Sequence, residues 1–174
     1  YDYDGECIIY GDTDSCYFSA WPVMKEAVNN GAEWDKEIAT ALYETIADKL
    51  NISFPLYMKA AHNVPTVKGE IIQCGREITG LSGLFIKKKR YAIMVYDNEG
   101  TRYDSDGGLG KVKAMGLDLK RSDTPAVIQD FLKDILNDLL SNKDKEYITN
   151  EIIKFKREFR DKPSWEKGTP KRVN

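Results

Sequence analysis

The chain has 174 residues, of which 41% are hydrophobic and 31% are charged. These proportions are typical of a folded globular protein with one or two domains and exclude a disordered chain. No stretch approaches the ~20 apolar residues of a membrane-spanning helix, and the acidic first four residues are not typical of a secretory signal.

Charge is unevenly distributed, although the formal net charge is only -2. Residues 1–50 contain eleven Asp and Glu against three Lys, whereas residues 86–121 contain nine Lys and Arg against five Asp and Glu. Residues 145–174 are also basic. The acidic part could attract metal ions and the basic parts could face phosphates, although solvated surfaces also cluster charge.

The three cysteines, Cys7, Cys16 and Cys74, form no C-x-x-C pair and are odd in number. We interpret them as reduced, buried thiols of an intracellular protein. Because the chain lacks an initial Met and starts almost directly on a predicted strand, we expect it to be a piece of a larger protein.

The first predicted elements are a hairpin and a helix. Residues 6–10 and 16–19 have the apolar, β-branched and aromatic composition of strands, and residues 11–15 between them are turn formers. A helix is predicted over 35–50, with Asp35 as its N-cap, because apolar residues recur there at four-residue steps.

More strands are predicted in the middle of the chain. Residues 66–72 and 82–86 are predicted as short strands, and residues 90–96 form a stronger one. The turn at 97–100 should return the chain into residues 101–103 as a second hairpin.

The last part of the chain is predicted to be helical. Residues 107–110 are glycine-rich and suggest a loop or linker. Asp123 or Thr124 should cap the next helix, with Pro125 at its first position, and another helix is predicted over 145–160. The fold class is therefore α+β, with an antiparallel sheet and a packed helix followed by an all-helical segment.

Two aspartates, Asp12 and Asp14, flank Thr13 at the tip of the first predicted hairpin. A tripeptide of this kind is by itself more often a turn former than a site. Two neighbouring carboxylates also repel each other, and Mg²⁺ relieves that repulsion because it prefers hard oxygen ligands. Both interpretations remain open on the tripeptide alone.

Four cations, residues 87–90, run directly into the predicted strand that begins near Tyr91. As a bare charge run they could simply keep a sheet edge soluble. They could also bind phosphates, the sequence-independent part of nucleic acid.

The longer strings around these residues resemble a known family. Residues 10–15, Y-G-D-T-D-S, resemble motif C of family B DNA polymerases, and residues 88–91 resemble the K-K-R-Y element of the same family. Residues 113–125 resemble its palm-to-thumb junction. Together with residues 97–103 they are most like the polymerases of T-even-type bacteriophages, and the resemblance covers roughly residues 6–160.

The resemblance implies a fold and a metal site. Residues 1–110 would be the C-terminal part of the palm, and residues 111–174 the palm-to-thumb junction and a partial helical thumb. Asp14 would coordinate metal directly and Asp12 would support it, both as catalytic residues, with two Mg²⁺ ions in the complete enzyme. Glu70 is the preferred extra acidic residue and Glu77 the competing one; either could instead be an ordinary surface carboxylate.

The resemblance also implies partners. Primer–template DNA and deoxynucleoside triphosphates would be bound, and a sliding clamp is a further expected partner, whereas no membrane is. The enzyme would work inside the cell, in the host cytoplasm if the protein belongs to a bacteriophage. The residues expected to bind DNA are Lys88, Lys89, Arg90, Tyr91, Lys120 and Arg121.

The implied activity is template-directed DNA synthesis, in which deoxynucleotides are transferred to a primer 3′ end by a two-metal mechanism. The family site also needs an aspartate and a fingers helix that precede this segment in the family. We therefore expect the chain to be inactive alone. The alternative is a non-catalytic DNA-binding or processivity module, and metal binding at the two aspartates would distinguish the two functions.

Overall fold

The computed structural model describes residues 5–105, 107–117, 119 and 123–169. The chain divides into two compact units, residues 1–79 and 80–174. The predicted boundary between palm and thumb at residues 110 and 111 concerns the subdomains of a polymerase and stays a prediction. None of the described helices is long and apolar enough to cross a lipid bilayer.

The first unit opens with the predicted hairpin. Strands β1 (Ile8–Gly11) and β2 (Cys16–Phe18) pair antiparallel. Helix α1, which had not been predicted, follows over Trp21–Asn29. The ring of Tyr43 lies 5.3 Å from that of Phe18, edge to face, and its hydroxyl accepts a hydrogen bond from the Ala20 N–H at 3.1 Å.

Helix α2 (Lys36–His62) is longer than predicted. It begins as expected at Asp35, whose carboxylate accepts a hydrogen bond from the Ile38 N–H at 2.8 Å and so caps the helix. It ends at Asn63, which has a left-handed backbone with φ 52°.

A short helix, α3 (Thr66–Gly69), replaces the strand predicted over residues 66–72, so that prediction was wrong. A Cβ added to Gly69 would lie 2.8 Å from the Cα of Pro55 in α2. Only glycine permits so close a backbone approach, and this packing favours the helical turn.

The second unit is built on a four-stranded sheet. Its strands are β3 (Ile78–Lys87), β4 (Arg90–Asn98), β5 (Thr101–Arg102) and β6 (Lys111–Met115). β4 lies beside β3, and it pairs antiparallel with β6 along its first half and with β5 at its end. β6 had not been predicted.

Strand β4 forms the centre of this unit, because residues 91–97 are all buried. On one face, Ala92 and Met94 pack with Leu119, Leu136 and Leu140 as the core cluster. Ser82 in β3 donates a hydrogen bond to the Leu140 carbonyl and so joins the sheet to the helix that carries Leu140.

The described residues after 123 form three helices: α4 (Ala126–Leu140), α5 (Lys145–Asp161) and α6 (Ser164–Lys167). Pro125 is the N-cap of α4 and makes no capping hydrogen bond through its side chain. The predicted capping by Asp123 or Thr124, with Pro125 as the first helical residue, was therefore wrong.

The predicted fold class is confirmed, because antiparallel strands are followed by a helical segment. Each cysteine is free, as the interpretation of reduced thiols requires, but the expected burial was wrong: Cys16 is exposed, and Cys7 and Cys74 are half-buried.

Candidate metal and nucleic-acid sites

The acidic tip, residues 12–15, closes the hairpin of β1 and β2. Gly11 pairs with Cys16 at its base, and the Asp12 N–H donates a hydrogen bond to the Ser15 carbonyl at 2.9 Å. This local geometry places both Asp12 and Asp14 where two strands end, as the sequence predicted.

The two aspartates have different surroundings. The Asp12 carboxylate accepts hydrogen bonds from the Tyr10 hydroxyl at 3.2 Å and from the Thr13 N–H at 3.0 Å. The Thr13 hydroxyl also lies 3.4 Å from the same Asp12 oxygen as the N–H. Asp12 therefore stabilises the turn through both carboxylate oxygens.

Asp14, by contrast, is exposed. Within the part of the chain that the structure describes, its carboxylate makes no hydrogen bond or ion pair. An unneutralised carboxylate beside a second one is well suited to a divalent cation.

A complete set of metal ligands needs more than this pair. Among the described residues no group of three His, Cys, Asp or Glu side chains could hold a metal ion. Asp12 and Asp14 are chemically suited to Mg²⁺, since both offer hard oxygen ligands, but they supply only part of its coordination.

The two candidate extra carboxylates lie near α3. Glu70 is exposed at the C-terminal end of α3, and Glu77 is exposed just before β3. Neither completes a metal-binding group with the two aspartates in the described part of the chain. The choice between them stays a prediction.

The basic turn, Lys88–Lys89, joins β3 to β4. Lys87 ends β3 and Arg90 begins β4, so the loop contains only two residues. All four cations are exposed, and Lys89 has a left-handed backbone with φ 60°. Their positive charges are concentrated where two strands meet.

Tyr91 follows the basic turn directly but is buried, with only 4% of its surface exposed. Its ring stacks on Phe85 of β3 at 5.6 Å. In this position Tyr91 can hold the turn against the sheet, but little of its side chain can reach DNA, and the DNA contact expected of it stays a prediction. The other two predicted DNA-binding residues, Lys120 and Arg121, lie outside the described residues.

Sequence reasoning missed residues that contact these two sites. Tyr10 and Thr13 were not predicted to bind Asp12. Their closeness to it in the sequence, two positions before and one position after, could have indicated these hydrogen bonds. Gly116 was not connected with the basic turn, because its contact with Lys89 depends on the pairing of β6 with β4.

No family model matches the chain. The chain is 31% identical over 147 residues to the DNA-directed DNA polymerase of Escherichia phage RB69, a match that covers 79% of the chain. It is 27% identical over 170 residues to the DNA-directed DNA polymerase of Enterobacteria phage T4, which covers 90% of the chain.

The matched segment spans only 16% and 18% of the lengths of these two relatives. The similarity therefore concerns one stretch of a much longer polymerase, and within the chain it includes most of both compact units. The chain belongs to the family B DNA polymerases and corresponds to a segment of those of T-even-type bacteriophages.

Proposed function

We propose that this chain is part of an enzyme that synthesises DNA on a template, by transfer of deoxynucleotides to a primer 3′ end. The observation that carries the proposal is the Y-G-D-T-D-S hairpin, whose tip presents the open Asp14 carboxylate beside Asp12. The similarity to two phage DNA polymerases supports it.

In this proposal Asp14 is a direct ligand of catalytic Mg²⁺. Asp12 shares its carboxylate with Tyr10 and Thr13, so it contributes mainly negative charge and the shape of the turn. Bound Mg²⁺ ions, two about 3.5–4 Å apart, would activate the primer 3′ oxygen and neutralise the triphosphate. The remaining ligands would come from parts of the polymerase that this chain does not contain.

The basic turn, in the same proposal, binds the primer–template duplex. A replicative enzyme must hold any sequence, so contacts with phosphates and minor-groove atoms suit it better than base recognition. Lys88, Lys89 and Arg90 provide exposed cations for such contacts. Deoxynucleoside triphosphates and a sliding clamp are further proposed partners, and the host cytoplasm is the proposed location.

The test is Asp14→Ala in the full-length polymerase that contains this segment. Primer extension should fall by far more than tenfold while DNA binding is retained, because the missing ligand acts on charge that develops in the transition state. Asp48→Ala is the matched control: Asp48 is also exposed in the first unit, but it lies in α2. The Asp48→Ala variant should extend primers at the wild-type rate.

Retention of more than about a tenth of the rate by Asp14→Ala, a loss of only ~1.4 kcal/mol, would refute the ligand role. Cation binding distinguishes the alternative, a non-catalytic DNA-binding module. Mn²⁺ titrated into the polymerase should bind more weakly after Asp14→Ala. A module without catalysis would show no such change, because it has no use for a metal at this tip.

A further inference from the structure

The basic turn has an unusual backbone. Lys89 has φ 60°, which is unfavourable for a residue with a Cβ. Such conformations persist where the surrounding structure holds them in place.

Gly116 lies directly against Lys89. Met115, the last residue of β6, pairs with Tyr91 near the start of β4, so the next residue lies beside the turn. A Cβ added to Gly116 would lie 2.0 Å from the Lys89 carbonyl oxygen and 3.1 Å from Cγ of Arg90. Gly116 itself has φ 65°.

Both features require glycine. A Cβ at position 116 would overlap a backbone atom of the turn, which cannot move away as the end of a flexible side chain could. A positive φ is also readily adopted only by glycine. The chain after β6 therefore lies directly against the peptide group that follows Lys89.

We propose that Gly116 is a positioning residue for DNA binding: its close approach fixes the backbone of Lys89 and thereby the directions of the Lys88 and Lys89 side chains. This inference rests on the proposed function, in which the two lysines bind the duplex. A turn backbone held in advance in the binding geometry loses less freedom on binding, so a displaced turn should bind DNA more weakly.

The experiment is Gly116→Ala in the full-length polymerase, with primer–template affinity measured across a salt series on several unrelated duplexes. The slope of log affinity against log salt should fall by about 0.9 for every phosphate that the variant no longer neutralises. If the variant and the wild type bind equally at 1 M salt, the variant should bind about fivefold more weakly at 0.15 M salt when one phosphate contact is lost. The loss of two contacts should weaken its binding about thirtyfold. The weakening should be similar for all sequences.

The salt slope separates positioning from general damage. A variant that is only partly folded has fewer active molecules, but each of them keeps the wild-type slope. Gly100→Ala is the matched control, since Gly100 has φ 84° in the turn between β4 and β5 and nothing lies within 4 Å of an added Cβ. It carries similar backbone strain without touching the basic turn, so its DNA affinity should be unchanged.

Gly116→Asn provides a second variant in case Gly116→Ala does not fold. Asparagine tolerates a positive φ better than alanine, so this substitution reduces the strain but keeps the overlap with Lys89. It should also lower the salt slope. An unchanged slope in the folded variant would overturn the inference.

The double variant Lys88→Ala with Lys89→Ala distinguishes the inference from the function on which it rests. If it binds DNA with wild-type affinity and slope, the proposed DNA contact of the turn is wrong, and the role of Gly116 fails with it. If it weakens binding while both Gly116 variants bind normally, the contact stands and only the positioning role is wrong. Equally weakened binding in Gly100→Ala and Gly116→Ala would also overturn the positioning role.

Discussion

Asn51 of α2 holds the segment that carries the candidate Glu70 and Glu77. Its side-chain amide donates to the Cys74 carbonyl at 2.9 Å, and its oxygen accepts from the Cys74 N–H at 2.8 Å. Asn51→Ala removes both hydrogen bonds. Each hydrogen bond contributes about 1 kcal/mol. Because both residues are only half-buried, water can bond to the Cys74 N–H and carbonyl that lose their partners.

The expected loss of stability is therefore about 2 kcal/mol from the hydrogen bonds. The higher helix propensity of alanine compared with asparagine offsets up to ~0.5 kcal/mol of this loss. The net destabilisation of the first unit should be about 1.5 kcal/mol. Lys49→Ala is the matched control, since Lys49 is an exposed residue within the same helix α2, and its only expected effect is the small helix gain.

The measurement is urea unfolding followed by tryptophan fluorescence. Trp21 and Trp34 lie in the first unit with ring centroids 6.3 Å apart, and Trp165 lies in the second. Because Trp165 is 82% exposed, Trp165→Phe should be tolerated and leaves fluorescence from the first unit alone. An Asn51→Ala variant within about 0.5 kcal/mol of its parent would show that the pair of hydrogen bonds does not hold this segment.

Two more predictions concern the basic turn and the activity of the chain. Lys89→Gly and Lys89→Ala each remove one cation, so each should lower the salt slope of DNA binding by about 0.9. The glycine variant should be more stable than the alanine variant by about 1 kcal/mol, because glycine readily adopts the φ of 60°. Equal thermal stability of these two variants would contradict the cost assigned to that conformation. The 174-residue chain by itself should extend no primed template in the presence of Mg²⁺, and clear incorporation in a gel assay would contradict this.

Elements that depend on local sequence were predictable. The hairpin of β1 and β2 follows from turn residues between apolar strands, and the start of α2 follows from the cap at Asp35. The position of Asp12 and Asp14 at a strand end follows from the same local signals. Their different hydrogen bonding does not, because it depends on side-chain directions.

Elements that depend on distant contacts were missed or misread. The apolar residues around Val67 suggested a strand, but α3 forms there because Gly69 packs closely against Pro55. Strand β6 is short, and it forms by pairing with β4, from which β5 and the glycine-rich segment separate it. The contact of Gly116 with Lys89 was invisible for the same reason.

Strand β4 has a consequence for motion. It is buried over residues 91–97 and lies between β3 on one side and β5 and β6 on the other, so its backbone can open only when the surrounding unit opens. Its amide hydrogens should therefore be among the slowest in the chain to exchange with solvent. The basic turn is attached to this slow strand, whereas its exposed lysine side chains change rotamer within picoseconds to nanoseconds. If the turn binds DNA as proposed, the duplex would meet cations that rearrange rapidly on a backbone that stays still.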